Sequence, residues 1–202
     1  NIWIATSNGI NCIDYKTKKI TRFYPKSINK ECTTNIINRL LKHSDGNVYA
    51  FCNRSVFKCS MNQTVETVFP DIAIPSPTYS VAQAPDKDIY IGTESNGLYI
   101  YSENWKLKKH VPIDGIIATI LPDNNGDIWL GLDETGICLF NKNKQTFTWL
   151  HKDNTNLNNN SIRTFVSYGD SSILVGTFRG LNILNKKELT ITPVSYTHLT
   201  LP

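Results

Sequence analysis

One short motif recurs along this chain: an apolar residue, an aromatic residue and, two positions later, a small residue. Its clearest copy lies in segment 126–150, GDIWLGLDETGICLFNKNKQTFTWL, where Ile128 and Trp129 precede Gly131. The segment contains two apolar runs and one alternating run, which predicts three short strands. A lone antiparallel piece of this size cannot bury its apolar face. The chain supplies neighbours by repeating the pattern about every 40–45 residues.

Each full repeat contains four predicted strands. Turn-forming residues separate the first strand from the aromatic second strand at 44–47, 85–88, 123–126 and 169–171, which is typical of β-hairpins. No segment shows helical periodicity. The period of about 40–45 residues with four strands predicts an all-β chain, namely a β-propeller fragment of four-stranded antiparallel blades.

The repeats also predict the domain organisation. We expect a propeller fragment over residues 1–193, with blades at about 1–25, 36–70, 78–112, 116–150 and 161–193. The first blade lacks its first strand, so the fragment contains four full blades and one partial blade. Asn1 begins directly in a predicted strand without an initiator Met, and we expect a truncated chain that forms an open arc.

The recurring aromatic and small residues predict how the sheets pack. A bulky ring on the second strand fills the space between stacked sheets, and a glycine two residues later lets the next sheet approach closely. Phe51 breaks the glycine pattern in the second repeat. The predicted structural core of the repeats comprises Trp3, Tyr49, Tyr90, Trp129, Gly92, Gly131 and Gly176. Trp105 lies outside this register, and we expect it to pack at a sheet edge.

Composition narrows the possible functions. Hydrophobic residues make up 40% and charged residues 19% of the 202 residues, which is typical of a globular protein, and no apolar run approaches a membrane span. The net charge is +4, and the lysines cluster near predicted hairpin tips, so the pattern does not favour nucleic-acid binding.

The five cysteines contain no CxxC pair, which argues against a zinc site. Cys12, Cys59 and Cys138 occupy equivalent third-strand positions and are predicted to be small buried residues. Cys52 and Cys59 flank one hairpin, and a disulfide between them is an open alternative.

The repeats resemble the two-component regulator propeller family. The resemblance is carried by NIWIATSNGINCIDYKTKKITRFY, DIYIGTESNGLYIYS and GDIWLGLDETGICLFNKNKQTFTWLHKDNTNLNNNSIRTF. It covers residues 1 to about 193 and is weakest in the second repeat. It implies the periplasmic sensor part of a Bacteroidetes hybrid two-component system that recognises glycan-derived oligosaccharides. It also implies a homodimeric receptor, with a membrane helix and a histidine kinase downstream of this segment.

The last residues are predicted not to belong to the fold. The segment 194–202, VSYTHLTLP, is similar to the translation of a transposon-type sequencing adapter read in one frame. We therefore expect an adapter-derived tail and exclude it from the fold, as is done for a fusion scar.

Propellers bind ligands with loops at one end of their blades. In this register those loops are the turns between second and third strands and the links between blades, at 26–34, 71–77, 113–115 and 151–160. Their polar side chains suit sugar hydroxyls, and Arg54 and Arg179 suit a carboxylate or sulfate. The predicted ligand-binding residues are Asn8, Arg54, Glu94, Asn96, Asp133, Glu134 and Arg179.

Enzymatic chemistry finds little support in the sequence. His43, His110 and His151 lie in non-equivalent positions without metal-ligand spacing, and His43 is expected to be a satisfied turn residue. We predict no catalytic residues, no metal, no cofactor and no nucleic-acid partner. Two alternatives remain: a lyase or hydrolase with its active site at the channel mouth, or a platform for protein interactions.

Overall fold

The structure is a computed structural model that describes residues 1–30, 32–60, 62–68 and 76–194. The chain divides into two compact units, residues 1–116 and residues 117–202. Val194 is the only residue of the predicted tail that lies within the described residues. Of the link at 71–77, the described residues include only Ser76 and Pro77. No helix among the described residues is long and apolar enough to cross a membrane.

The first unit contains three antiparallel sheets in chain order, and the first sheet has three strands while the others have four. The first sheet contains β1 (Ile2–Thr6), β2 (Gly9–Ile13) and β3 (Ile20–Phe23), and the helix α1 (Pro25–Ile28) follows it. The second contains β4 (Arg39–Lys42), β5 (Val48–Cys52), β6 (Ser55–Cys59) and β7 (Val65–Val68). The third contains β8 (Thr78–Gln83), β9 (Ile89–Thr93), β10 (Leu98–Tyr101) and β11 (Leu107–Val111).

The second unit contains two four-stranded antiparallel sheets. One contains β12 (Ile117–Pro122), β13 (Asp127–Leu132), β14 (Gly136–Asn141) and β15 (Thr146–Leu150). The other contains β16 (Ile162–Tyr168), β17 (Ser172–Thr177), β18 (Gly180–Asn185) and β19 (Ile191–Pro193). The predicted fold class is confirmed: the blades are four-stranded and antiparallel, and the first one lacks a strand.

The hairpins form because the turn residues satisfy the backbone locally. Between β12 and β13, the Asp123 amide donates to the Asp127 carbonyl at 2.7 Å and the Gly126 amide donates to the Asp123 carbonyl at 3.2 Å. Gly126 has a φ of +83°, which a residue with a side chain rarely adopts. Segment 123–127 is therefore a hairpin turn, as its residues predict.

Aromatic second-strand residues lie between adjacent sheets. In the second unit Trp129 is 1% exposed and belongs to one apolar cluster with Ile162 and Phe165 of the following sheet. A Cβ atom added to Gly131 would lie 2.5 Å from Ile162 Cγ2 and 3.0 Å from Phe165 Cζ. The absence of a side chain at Gly131 is thus what admits the next sheet.

The same packing holds in the first unit. Tyr49 and Phe51 of β5 share a cluster with Tyr99 and Tyr101 of β10. Tyr90 is fully buried, whereas Trp3 is half-buried and packs on Phe23 with ring centroids 6.0 Å apart.

Trp105 is not the edge residue that its position predicts. It is 7% exposed, and its ring centroid lies 4.7 Å from that of Tyr49 and 5.8 Å from that of His43. Its φ of +60° turns the chain so that the indole enters the space between the second and third sheets. His43 is correspondingly buried, and its Nε2 atom has no hydrogen-bond partner among the described residues.

The predicted burial of Cys12, Cys59 and Cys138 is confirmed, since each is fully buried. The alternative of a Cys52–Cys59 disulfide is wrong, because both cysteines are free and lie at opposite ends of their hairpin. The register pairs Cys52 with Ser55, and Cys59 with Val48.

Stability should fall in acid partly through Asp45. Burial raises the pKa of this carboxyl, but hydrogen bonds donated by Asn47 and Tyr49 outweigh burial and lower the pKa from 3.8 to about 2. A carboxyl whose pKa is lower in the folded than in the unfolded protein stabilises the fold fully at pH values above its unfolded pKa. This stabilisation is lost as the pH falls to the folded pKa. We expect the free energy of unfolding to fall between about pH 4 and pH 2, and to fall less steeply in Asp45→Asn. Denaturant midpoints measured across this pH range provide the test. Asp170→Asn, in an equivalent exposed turn, should follow the wild-type profile, and identical profiles for all three proteins would contradict the assignment.

The exposed strand faces predict self-association. Val166 and Tyr168 on β16 are 54% and 57% exposed, and Ile2 and Ile20 in the first sheet are 50% and 54% exposed. Uncovered apolar sheet faces favour association with other chains. Light scattering of residues 1–193 should show a mass that rises with concentration, and less so in a variant with Val166→Thr and Tyr168→Thr. A monodisperse monomer that melts cooperatively would be the contrary result.

Candidate functional site

The turns between second and third strands lie against the links between sheets. In the second unit the Gly136 amide donates to the Asn160 carbonyl at 2.8 Å, and the Phe178 amide donates to the Ser161 carbonyl at 3.0 Å. In the first unit the Thr78 amide donates to the Asn53 carbonyl at 3.2 Å. These hydrogen bonds place the two groups of loops together at one end of the sheets.

Asn158 holds the asparagine-rich link against the last sheet. Its Oδ1 accepts hydrogen bonds from Thr177 Oγ1 at 2.9 Å and from Asn182 Nδ2 at 2.8 Å. Its Nδ2 donates to the Arg179 carbonyl at 3.1 Å. Asn182 is fully buried, so its side-chain amide obtains from Asn158 the hydrogen bonds that it cannot make with solvent. The link is therefore a fixed part of the loop surface.

Asp133, Arg163 and Phe178 come together at this end of the second unit. Arg163 Nη1 donates to Asp133 Oδ2 at 3.0 Å, and the Arg163 guanidinium lies 5.6 Å from the centre of the Phe178 ring. Asp133 belongs to the turn after β13, Arg163 to β16 and Phe178 to the turn after β17. The group thus draws on two adjacent sheets.

Two of the three side chains retain unused binding capacity. Asp133 Oδ1 has no hydrogen-bond partner among the described residues, but it is buried and does not face solvent. A guanidinium carries five N–H donors, of which the ion pair with Asp133 uses one. The Phe178 ring is 72% exposed, which is unusual for a large apolar side chain. The group therefore combines accessible N–H donors with an apolar face.

A second candidate site lies in the first unit. A cleft of about 410 Å³ is lined by Arg54 together with polar and small residues of the neighbouring links. Arg54 is exposed, and it is the only charged side chain that borders the cleft among the described residues. Its lining comprises Cys32, Thr33, Thr34, Cys52, Asn53, Arg54, Ser55 and Pro77. An anionic group entering this cleft would meet one cation and several hydroxyls.

The remaining predicted ligand residues occupy the same kind of turn. Asn8 Oδ1 accepts from Asn35 Nδ2 at 3.3 Å, so that amide is engaged with the adjacent link. The Asn96 carbonyl lies 2.6 Å from His110 Nε2. Glu94 and Arg179 are exposed, and Glu134 is exposed with a φ of +65°.

Arg163 and Phe178 are the site residues that the sequence prediction missed. Arg163 lies in a first strand, outside the loops that were considered, and Phe178 interrupts the polar composition expected of a turn. The signal for Phe178 was a large aromatic residue in the turn of sequence Thr-Phe-Arg-Gly, at 177–180. Among the described residues, no group of three or more His, Cys, Asp or Glu side chains could hold a metal ion.

No protein-family model matches the chain, and no curated protein sequence matches it. Solved structures do match. The chain is similar to the extracellular domain of the hybrid two-component system BT3049 from B. thetaiotaomicron, with a TM-score of 0.73 and 24% identity over 97% of this chain and 27% of that chain. The extracellular domain of BT4673 from the same organism gives a TM-score of 0.76 and 16% identity, covering 97% of this chain and 30% of that chain.

PorZ, a bacterial surface component of the type-IX secretion system of Porphyromonas gingivalis, gives a TM-score of 0.72 and 13% identity, covering 93% of this chain and 31% of that chain. At 24% identity and below, these likenesses show the fold, which is that of β-propeller blades found in extracellular domains of two-component systems. The chain spans less than a third of the length of each of these three structures.

Proposed function

We propose that this chain is part of the ligand-recognising propeller of a hybrid two-component receptor and that it binds an oligosaccharide. The fold shared with extracellular domains of such systems supports the class of protein. In this proposal the chain lies in the periplasm, acts in a homodimer, and reaches the membrane and a kinase through other parts of the receptor. The chain itself performs no catalysis.

The exposed Phe178 ring beside the Asp133–Arg163 pair is the observation that carries the ligand class. A sugar ring presents C–H groups on one face and hydroxyls around its edge. The Phe178 face suits the former, while the unused Arg163 N–H groups suit the latter. Because Arg163 is already paired with a carboxylate, this site favours a neutral sugar.

The Arg54 cleft suits oligosaccharides that carry a negative charge. The Arg54 guanidinium is exposed and has no ion-pair partner among the described residues, and such a group binds carboxylate or sulfate in a bidentate manner. An oligosaccharide with an acidic or sulfated residue is therefore the ligand expected in the first unit. The two sites make separate predictions, so one can fail without the other.

Phe178→Ala is expected to weaken the binding of a neutral oligosaccharide by about tenfold, equivalent to ~1.4 kcal/mol, because the stacking face is lost. Arg163→Ala should weaken binding at least as much, since it removes the N–H donors that are free to bind the sugar hydroxyls. Calorimetry against a panel of neutral, uronic-acid and sulfated oligosaccharides measures both effects. Lys187→Ala, a cation in the turn at the opposite end of the same sheet, is the matched control.

The panel also separates the alternatives. If the wild-type protein binds no oligosaccharide, the glycan assignment fails and a protein-interaction surface becomes the better hypothesis. Loss of binding in Arg54→Ala but not in Phe178→Ala would move the ligand to the first unit. Release of shortened products during the titration would reveal the lyase or hydrolase alternative.

A further inference from the structure

Two thiols from distant parts of the sequence border the same cleft in the first unit. Cys32 lies in the link between the first and second sheets, and Cys52 ends β5. Cys32 Sγ donates to Ser55 Oγ at 3.4 Å, and Ser55 is the strand partner of Cys52. Cys52 Sγ donates to the carbonyl of Thr34, two residues after Cys32, at 3.3 Å.

The two side chains also share the same surroundings. Both cysteines belong to one apolar cluster, and both line the cleft of about 410 Å³. Neither sulfur is committed to a metal or to a disulfide among the described residues.

The two thiols differ in access. Cys52 is 1% exposed, and burial, together with Cys32, raises its pKa to about 12. Cys32 is half-buried and faces the cleft. A reagent in solution therefore reaches Cys32 before it reaches the buried Cys52. The thiolate is the reactive form of cysteine in this exchange.

We propose that Cys32 and Cys52 form a reversible disulfide that ties the link between the first and second sheets to β5. The oxidant is a disulfide, either of a small thiol or of a protein. The Cys32 thiolate attacks one sulfur of that disulfide, breaks its S–S bond and releases one thiolate. Cys52 then loses its proton and attacks Cys32 Sγ, and the second thiolate leaves. The two cysteines lose two protons and two electrons, and the oxidant disulfide gains both as two thiols.

The crosslink would act on the Arg54 cleft. Residues Cys32, Thr33 and Thr34 form one wall of that cleft, and residues 52–55 form another. A covalent bond between the walls limits their separation and reduces the freedom of the link in the unfolded chain. This inference concerns the cysteines alone and stands whether or not the cleft binds a sugar.

The other cysteines provide an internal reference. Cys12, Cys59 and Cys138 are fully buried. Burial raises the pKa of Cys59 and Cys138 to about 12, and neither borders the cleft. They should not react in the folded protein, so Cys138→Ser is a matched control for the loss of one thiol.

The test exposes the reduced chain to oxidised glutathione and then traps free thiols with a maleimide, followed by peptide mapping. We expect a Cys32–Cys52 crosslinked peptide, two fewer free thiols after denaturation, and a higher thermal midpoint that a reductant reverses. Cys138→Ser should behave like the wild type. Cys52→Ser should instead retain glutathione on Cys32, since no second thiol can displace it.

Three results would overturn the proposal, two in the wild type and one in a variant. One is wild-type protein that stays glutathionylated at Cys32 without forming the crosslink. Another is a crosslink that involves Cys12, Cys59 or Cys138 in the folded protein. Cys32→Ser should fold as the wild type does and form no crosslink, and a crosslinked product from that variant would also contradict the assignment.

Discussion

Trp129→Ala is expected to lower the free energy of unfolding by about 3–5 kcal/mol, the range for removing a large aromatic side chain from a core. Trp129 is 1% exposed and packs in a cluster with Ile162, Phe165 and Val175 of the following sheet. These contacts join two sheets, so the cavity would open along the surface that holds the second unit together. Adjacent strands are hydrogen-bonded within a sheet and cannot close this space.

Trp129→Phe is the matched variant. The indole Nε1 of Trp129 is buried and has no hydrogen-bond partner among the described residues, so phenylalanine loses ring area but no hydrogen bond. We expect it to cost less than half as much as alanine. Urea denaturation followed by circular dichroism, at concentrations below the onset of association, measures both variants.

Trp149→Ala is the control, because Trp149 is less buried than Trp129. Trp149 is half-buried on the outer strand β15 and stacks on His151 with ring centroids 6.0 Å apart. Its loss should cost clearly less than that of Trp129. Equal losses at the two positions would show that the space between sheets is not where the second unit derives its stability.

Gly131→Ala should be the second most damaging change and lower the free energy of unfolding by about 1–3 kcal/mol. The added methyl group has no space between the two sheets. The new Cβ would lie 2.5 Å from Ile162 Cγ2 and 2.6 Å from Thr119 Cγ2. Both neighbours are β-branched and therefore stiff at χ1, so neither moves away cheaply. Denaturation midpoints under the same conditions provide the measurement.

Gly176→Ala is the control at the same register in the next repeat. Its new Cβ would lie 2.8 Å from Thr164 Cγ2, on the neighbouring strand of the same sheet, and would contact no other side chain among the described residues. The two substitutions therefore differ by the contact with a following sheet. We expect Gly176→Ala to cost less than Gly131→Ala, and the reverse order would contradict the proposed role of the repeated glycine.

The fold class was predictable because its signals are local. Alternation along a strand, the turn residues before β13 and the glycine that begins β14 each act within a few residues. Their recurrence at about 40–45 residues then predicts stacked four-stranded sheets. Trp105 could not be predicted in the same way, because its burial depends on how the third sheet packs against the second.

The candidate site was predictable only in outline. The turns that carry Asp133 and Arg54 follow from the strand order, and both residues lie where that order places them. The pairing of Asp133 with Arg163 joins residues 30 positions apart across two sheets. Strand periodicity carries no information about such a distance.

The sequence by itself determined the strands, the turns between them and the identity of the second-strand residues, since backbone hydrogen bonds and side-chain alternation are set within each hairpin. The tertiary structure alone decided which side chains meet across neighbouring sheets. It buried Trp105, joined Asp133 and Arg163 beside Phe178, and placed Cys32 and Cys52 in one cleft. These contacts depend on the stacking of separate sheets, which places together residues that no local pattern connects.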